Sequence, residues 1–145
     1  MSYNTWHNYG YGICADEIGE VPVERLQALL HLAPKFESEV AAWLRECEID
    51  KPEVCDYFEF DADNHGGYAT ILQRVIQENE NLELLYCDDF GGKDYLIFPP
   101  IYPWSMAENE KEVTEEQLLA IFTKYIVVLT DKPVTVDYQS VENGG

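Results

Sequence analysis

The stretch LELLYCDDFGGKDYLIF, Leu82 to Phe98, decides the fold. Leu82 to Cys87 and Tyr95 to Phe98 are short, nearly continuous apolar runs, and Gly91-Gly92 stands between them. Two such runs around a glycine pair read as a β-hairpin with a slightly long loop. Both faces of each run look apolar, which predicts central strands covered on both sides. Pro99-Pro100 ends the second strand, because proline has no N–H to give to a ladder.

Upstream, Tyr3 to Cys14 alternates with period two, its bulky residues on one face and Gly10 and Gly12 on the other. That pattern is a strand, and the bare positions predict a helix or a large side chain lying close against it. Pro22 suits the first turn of a helix that points Val23, Leu26, Leu29 and Leu30 inward. Pro34 opens a second, whose stripe is Phe36, Val40, Trp43, Leu44 and Cys47. A third follows Gly67, with Tyr68, Ile71, Leu72, Val75 and Ile76 at the same period. Downstream, Thr114 and Gln117 form a capping box ahead of the stripe Leu118, Ile121, Phe122, Tyr125 and Leu129. Val134, Val136 and Tyr138 then alternate as a last strand before a polar tail. The order predicts one domain over residues 1–145. It is an α+β fold: a mainly antiparallel sheet of about four or five strands packed by about four helices.

Twenty-eight acids against nine bases give a net charge of −19, where a small domain typically carries about 2 to 8. With 46% hydrophobic residues the chain is too apolar to be disordered in spite of that charge. Nucleic acid and anionic membranes share its sign, so neither is expected as a partner; the charge favours basic proteins or cations. No apolar run is long enough for a membrane span. MSYNTWHNYG has no secretory pattern, so a cytoplasmic location is expected. Cys14, Cys47, Cys55 and Cys87 contain no C-x-x-C pair and read as buried small hydrophobes.

Three stretches resemble one group: SYNTWHNYGYGIC, YLIFPPIYPW and TDKPVTVDYQSVENGG. They are similar to small, uncharacterised acidic proteins carried by phages and mobile elements of Gram-positive bacteria. The resemblance covers most of the chain in scattered pieces and brings no catalytic or binding residues with it. It implies a counter-defence role, anti-CRISPR-type inhibition included, by blocking a host nuclease or capturing its signal.

The most acidic motif is DYFEFDADNHGG, Asp56 to Gly67. Asp61, Asp63, His65 and Gly66 match the first half of a calcium loop, but position twelve is Leu72 where the bidentate glutamate belongs. Read as an extended edge, the motif puts Phe58 and Phe60 on one side and Glu59, Asp61 and Asp63 on the other. The carboxylates then stand in a row a little under ~7 Å apart, an array comparable to the phosphates of a duplex. A plain solvated face, with Asp63 or Asn64 capping the next helix, fits the same residues. Acids also outnumber bases ten to two from Glu37 to Asp63, and six to one from Glu78 to Asp94.

The chain has no P-loop, G-x-G-x-x-G, G-x-S-x-G or H-E-x-x-H. Cys87 precedes two aspartates that disfavour its thiolate. No enzymatic activity and no cofactor are expected. The function read from these residues is binding to a basic protein surface, most simply that of a nucleic-acid-binding defence protein, as a nucleic-acid mimic. Contact carboxylates are Glu59, Asp61, Asp63, Asp88 and Asp89, with Tyr102 and Trp104 as apolar anchors. Two alternatives stand beside it. One is a small-ligand binder using an aromatic pocket of Tyr102, Trp104, Trp6, Tyr9 and Tyr11; the other is an acidic accessory subunit.

Overall fold

Gly12 lies so close to the neighbouring strand that a β-carbon on it would stand 2.0 Å from the Leu96 carbonyl oxygen. The contact locates the centre of the sheet in the computed structural model, which describes residues 5–60, 67–88, 93–98 and 113–144. Strand β1 (Thr5–Cys14) is followed by a 3-10 turn (Ala15–Ile18) and four helices. These are α1 (Val23–His31), α2 (Pro34–Glu46), α3 (Val54–Glu59) and α4 (Tyr68–Glu80). Strands β2 (Leu85–Asp88) and β3 (Asp94–Phe98), helix α5 (Glu115–Leu129) and strand β4 (Asp137–Gly144) follow among the described residues. The α+β reading holds: the described residues form a four-stranded antiparallel sheet in the order β2-β3-β1-β4 with five helices packed on it.

Three expectations need correction. β3 is interior, with Leu96 and Ile97 both fully buried, but β2 is an edge strand and leaves Leu85 exposed. Leu82 and Leu84 are spent on the turn out of α4 before the strand begins. The close approach at Gly10 and Gly12 comes from the backbone of β3, and no helix or large side chain is needed to explain it. The last strand is Asp137–Gly144, so the polar tail itself pairs with β1 from Gly12↔Asp137 to Thr5↔Gly144. Val134 and Val136 pack on the core ahead of it. An outer strand of a sheet needs backbone partners more than apolar side chains, which is why composition pointed a few residues too early.

Residues paired across the sheet share a face. Ile13, Leu96 and Tyr86 form one row, and Tyr11 with Phe98 forms the next. That face meets the helices: Ile13 and Leu96 join Leu26, Leu29, Leu72, Ile76, Phe122 and Leu129 in one buried cluster. The opposite face carries Cys87, Ile97 and Val141 as a second, smaller cluster. The helix stripes read from the sequence fall on the core as expected, except at Cys47. The thiol expectation holds for Cys14 and Cys87, which are buried, and fails for Cys47 and Cys55, which are exposed. Cys47 sits at the C-cap, where α2 has already ended.

Thr114 and Gln117 close the expected capping box, the Thr114 hydroxyl accepting the Gln117 N–H at 3.2 Å and the Gln117 side chain accepting the Thr114 N–H at 3.0 Å. Helix α2 has no such local device. Its orphan N–H groups, those of Lys35 and Phe36, both donate to the Glu78 carboxylate of α4 at 3.0 Å. Among the described residues, no helix is long and apolar enough to cross a membrane.

Candidate functional site: carboxylates at one end of the sheet

Glu59 is exposed, but it does not stand on an extended edge. Residues 54–59 are helix α3, started by a second capping box in which the Asp56 carboxylate accepts the Glu53 N–H at 2.8 Å. Residues two apart on a helix point about 200° apart, so Phe58 and Phe60 diverge. Phe58 meets Tyr68 edge-on with ring centres 4.9 Å apart. Phe60 packs edge-on against Phe36 and Trp43 at 5.9 and 5.7 Å. Tyr57 is buried, its hydroxyl accepting from the Gln27 amide at 2.9 Å. The aromatics of the motif therefore serve core packing in several directions, which period-two reading could not show. The evenly spaced row is lost at its first member, Glu59. Asp61 and Asp63 lie outside the described residues, as do Asp89, Tyr102 and Trp104. Leu72, the twelfth position of the calcium-like match, is fully buried in α4.

Asp88, the other predicted contact within the described chain, is exposed at the end of β2 and pairs across the ladder with Asp94. Like charges placed opposite one another repel. Asp94 is anchored there: the Tyr86 hydroxyl donates to its carboxylate at 2.7 Å, and its own N–H donates to the Asp16 carboxylate at 3.0 Å. Burial first, then the Asp94 hydrogen bond and charge, push the Tyr86 hydroxyl well above the usual tyrosine range. It stays a protonated donor at every physiological pH.

Glu59, Asp94 and Asp16 border one cleft of about 570 Å³. Phe58 and Tyr68 form its apolar walls, and Gly19 and Gly67 admit it. Both glycines have positive φ, +71° and +51°, a backbone state that side chains disfavour. The Tyr68 hydroxyl is raised above its ordinary value, chiefly by burial and secondarily by the Glu20 charge, against a lowering backbone hydrogen bond from Val21. Of the residues bordering the cleft, sequence reading named Glu59 as a contact and not Asp16, Asp94 or the walls. Asp16 is close to Asp94 only because β1 and β3 are neighbours, and nothing local in ADEIGE signals that.

Tyr11, a candidate wall of the aromatic pocket, is buried on the helix side of the sheet and stacks edge-on with Tyr138 at 5.3 Å. It is committed to the core. Burial also pushes the Cys87 thiol up to about 11, with Asp88 adding to the effect; such a thiol is a poor nucleophile at neutral pH. Among the described residues, no three His, Cys, Asp or Glu side chains are grouped so as to hold a metal ion. No family model, curated protein or solved structure matches the chain.

Proposed function

We propose that this protein is a non-catalytic acidic binding protein. It would occupy a basic surface of a nucleic-acid-binding partner and exclude nucleic acid from it. The observation that carries this reading is the convergence of Asp16, Glu59, Asp88 and Asp94, from four separate segments, at one end of the sheet. They do so in a chain of net charge −19. Folding does not hide the acids: Glu17, Glu20, Glu24, Glu53 and Glu83 are exposed as well. Basic side chains neutralise only part of this, as in Arg25–Asp131 at 2.8 Å, Arg74–Glu39 at 2.8 Å and Lys124–Glu80 at 3.0 Å. A field of that size draws a basic partner in at a rate that falls with ionic strength.

The partner that suits the reading best is a host defence nuclease, in keeping with the resemblance to phage and mobile-element proteins. The immobilised protein is incubated with host lysate, the retained proteins are identified, and their release by salt and by duplex DNA or RNA is measured. The reading expects a retained nucleic-acid-binding protein that is displaced by duplex and lost as salt rises past physiological strength. Retention of proteins that duplex cannot displace would refute the mimicry and favour the accessory-subunit role.

A further inference from the structure

The cleft has a composition that the acidic surface around it does not share. It joins two aromatic walls, Phe58 and Tyr68, to the carboxylates of Asp16, Glu59 and Asp94. Its volume of about 570 Å³ falls within the range of about 300–1,000 Å³ usual for ligand pockets. Aromatic faces attract cations through the ring quadrupole, and carboxylates do so by charge.

One feature favours the opposite sign. Helix α4 begins at the cleft with Gly67 as its N-cap, a residue with no side chain to cap it, and no acid stands in its first turn. A helix start draws anions with the equivalent of about half a positive charge. Three whole carboxylate charges outweigh it. The chain's own Lys132 ammonium lies beside Gly19, 3.0 Å from where a β-carbon on that residue would be, and it offsets one of those three charges without reversing the sign.

We propose that this cleft receives a cationic side chain, an arginine or lysine of the basic partner, against the Phe58 and Tyr68 rings and among the carboxylates of Asp16, Glu59 and Asp94. The proposal rests on the acidic-surface reading and makes it specific: the surface steers the partner, and the cleft holds one of its side chains. Field strength falls off gradually over a surface, but a side chain in a walled cleft fixes register.

The test is an amide NMR titration of the whole protein with N-acetyl-arginine amide, beside the uncharged citrulline analogue. The arginine probe is expected to shift the amides of Gly19, Gly67, Tyr68 and Asp94, and the citrulline probe to leave them in place. Glu59→Lys, which puts a cation at the cleft, is expected to weaken arginine binding by about tenfold, and Glu59→Gln by less. Glu116→Lys makes the same charge change on the exposed first turn of α5 and is expected to weaken it by no more than about twofold. Equal losses from both reversals, shifts spread evenly over the acidic surface, or an equal response to citrulline would each overturn the cleft as a site. The lysate experiment separates the two ideas. If duplex displaces the partner but the cleft fails its titration, mimicry stands without an anchor. If the titration succeeds and displacement fails, the cleft remains a cation site and the mimicry falls.

Discussion

The Phe36 backbone N–H of α2 donates to the Glu78 carboxylate of α4 at 3.0 Å, across 42 positions of sequence. Ala33, the residue in the N-cap place, has no side-chain oxygen to offer, so a neighbouring helix supplies the cap. Arg74, one turn earlier on α4, lies 4.8 Å from the Phe36 ring centre and pairs with Glu39. One face of α4 thus holds the start of α2 by charge-assisted hydrogen bonds as well as by packing.

Glu78→Ala removes the side-chain acceptor of the Lys35 and Phe36 N–H groups, and is expected to cost about 1–2 kcal/mol. Glu78→Gln keeps one acceptor oxygen and should cost roughly half as much. Urea denaturation followed by far-UV circular dichroism measures both. A loss no greater than that of an exposed control such as Glu83→Ala would show the cap to be unimportant.

Thiol reactivity should divide the cysteines in two pairs. Cys47 and Cys55 are exposed and should react quickly with a disulfide reagent near pH 8; Cys14 and Cys87 are buried, with thiols pushed up mainly by burial. They should react only as the protein opens. Two fast and two slow thiols by absorbance stopped-flow is the expected result. Four fast ones would contradict the packing of β1 and β2.

The acid limb of stability should depend on Tyr125. Its buried hydroxyl donates to Glu80 at 2.5 Å. That bond is the first cause holding the Glu80 carboxyl below its ordinary value, with burial opposing and Lys124 assisting. A depressed carboxyl contributes stability that is present above its unfolded pKa and lost as pH falls through the folded one. Tyr125→Phe is therefore expected to lower stability by about 1–2 kcal/mol at pH 7, and to flatten the decline below about pH 5. Parallel acid limbs for both proteins in urea melts would refute the coupling.

Gly12→Ala tests the centre of the sheet. The new methyl group would meet the Leu96 carbonyl oxygen and the Ile97 Cα at 2.0 and 2.7 Å. These are backbone atoms that cannot turn aside, so the expected cost is about 3 kcal/mol or more. Thermal unfolding gives the answer. A loss below about 1 kcal/mol would mean that β1 and β3 can separate locally without harm.

Local signals carried further in some elements than in others. Leu26, Leu29 and Leu30, or Leu118, Phe122 and Leu129, repeat at the helical period, and a helix turns such a repeat into a buried face wherever it docks. Thr114 and Gln117 cap α5 by contacts three residues apart. These elements were legible because period and capping act within a few turns of chain. DYFEF was not: its aromatics alternate with acids as a strand's would, yet Glu53 and Asp56 cap a short helix and each ring finds a different partner.

By itself the sequence determined the charge, the helix stripes, the antiparallel hairpin and hence the α+β class, because each follows from composition or from neighbours in the chain. The tertiary structure alone decided that β2 is an edge and that the polar tail pairs with β1. It alone brought Asp16 beside Asp94 and set Glu59 on the same cleft. Strand order and long-range hydrogen bonds depend on which segments meet after loops close, and residues 78 apart in sequence, as Asp16 and Asp94 are, leave no periodic trace of that meeting.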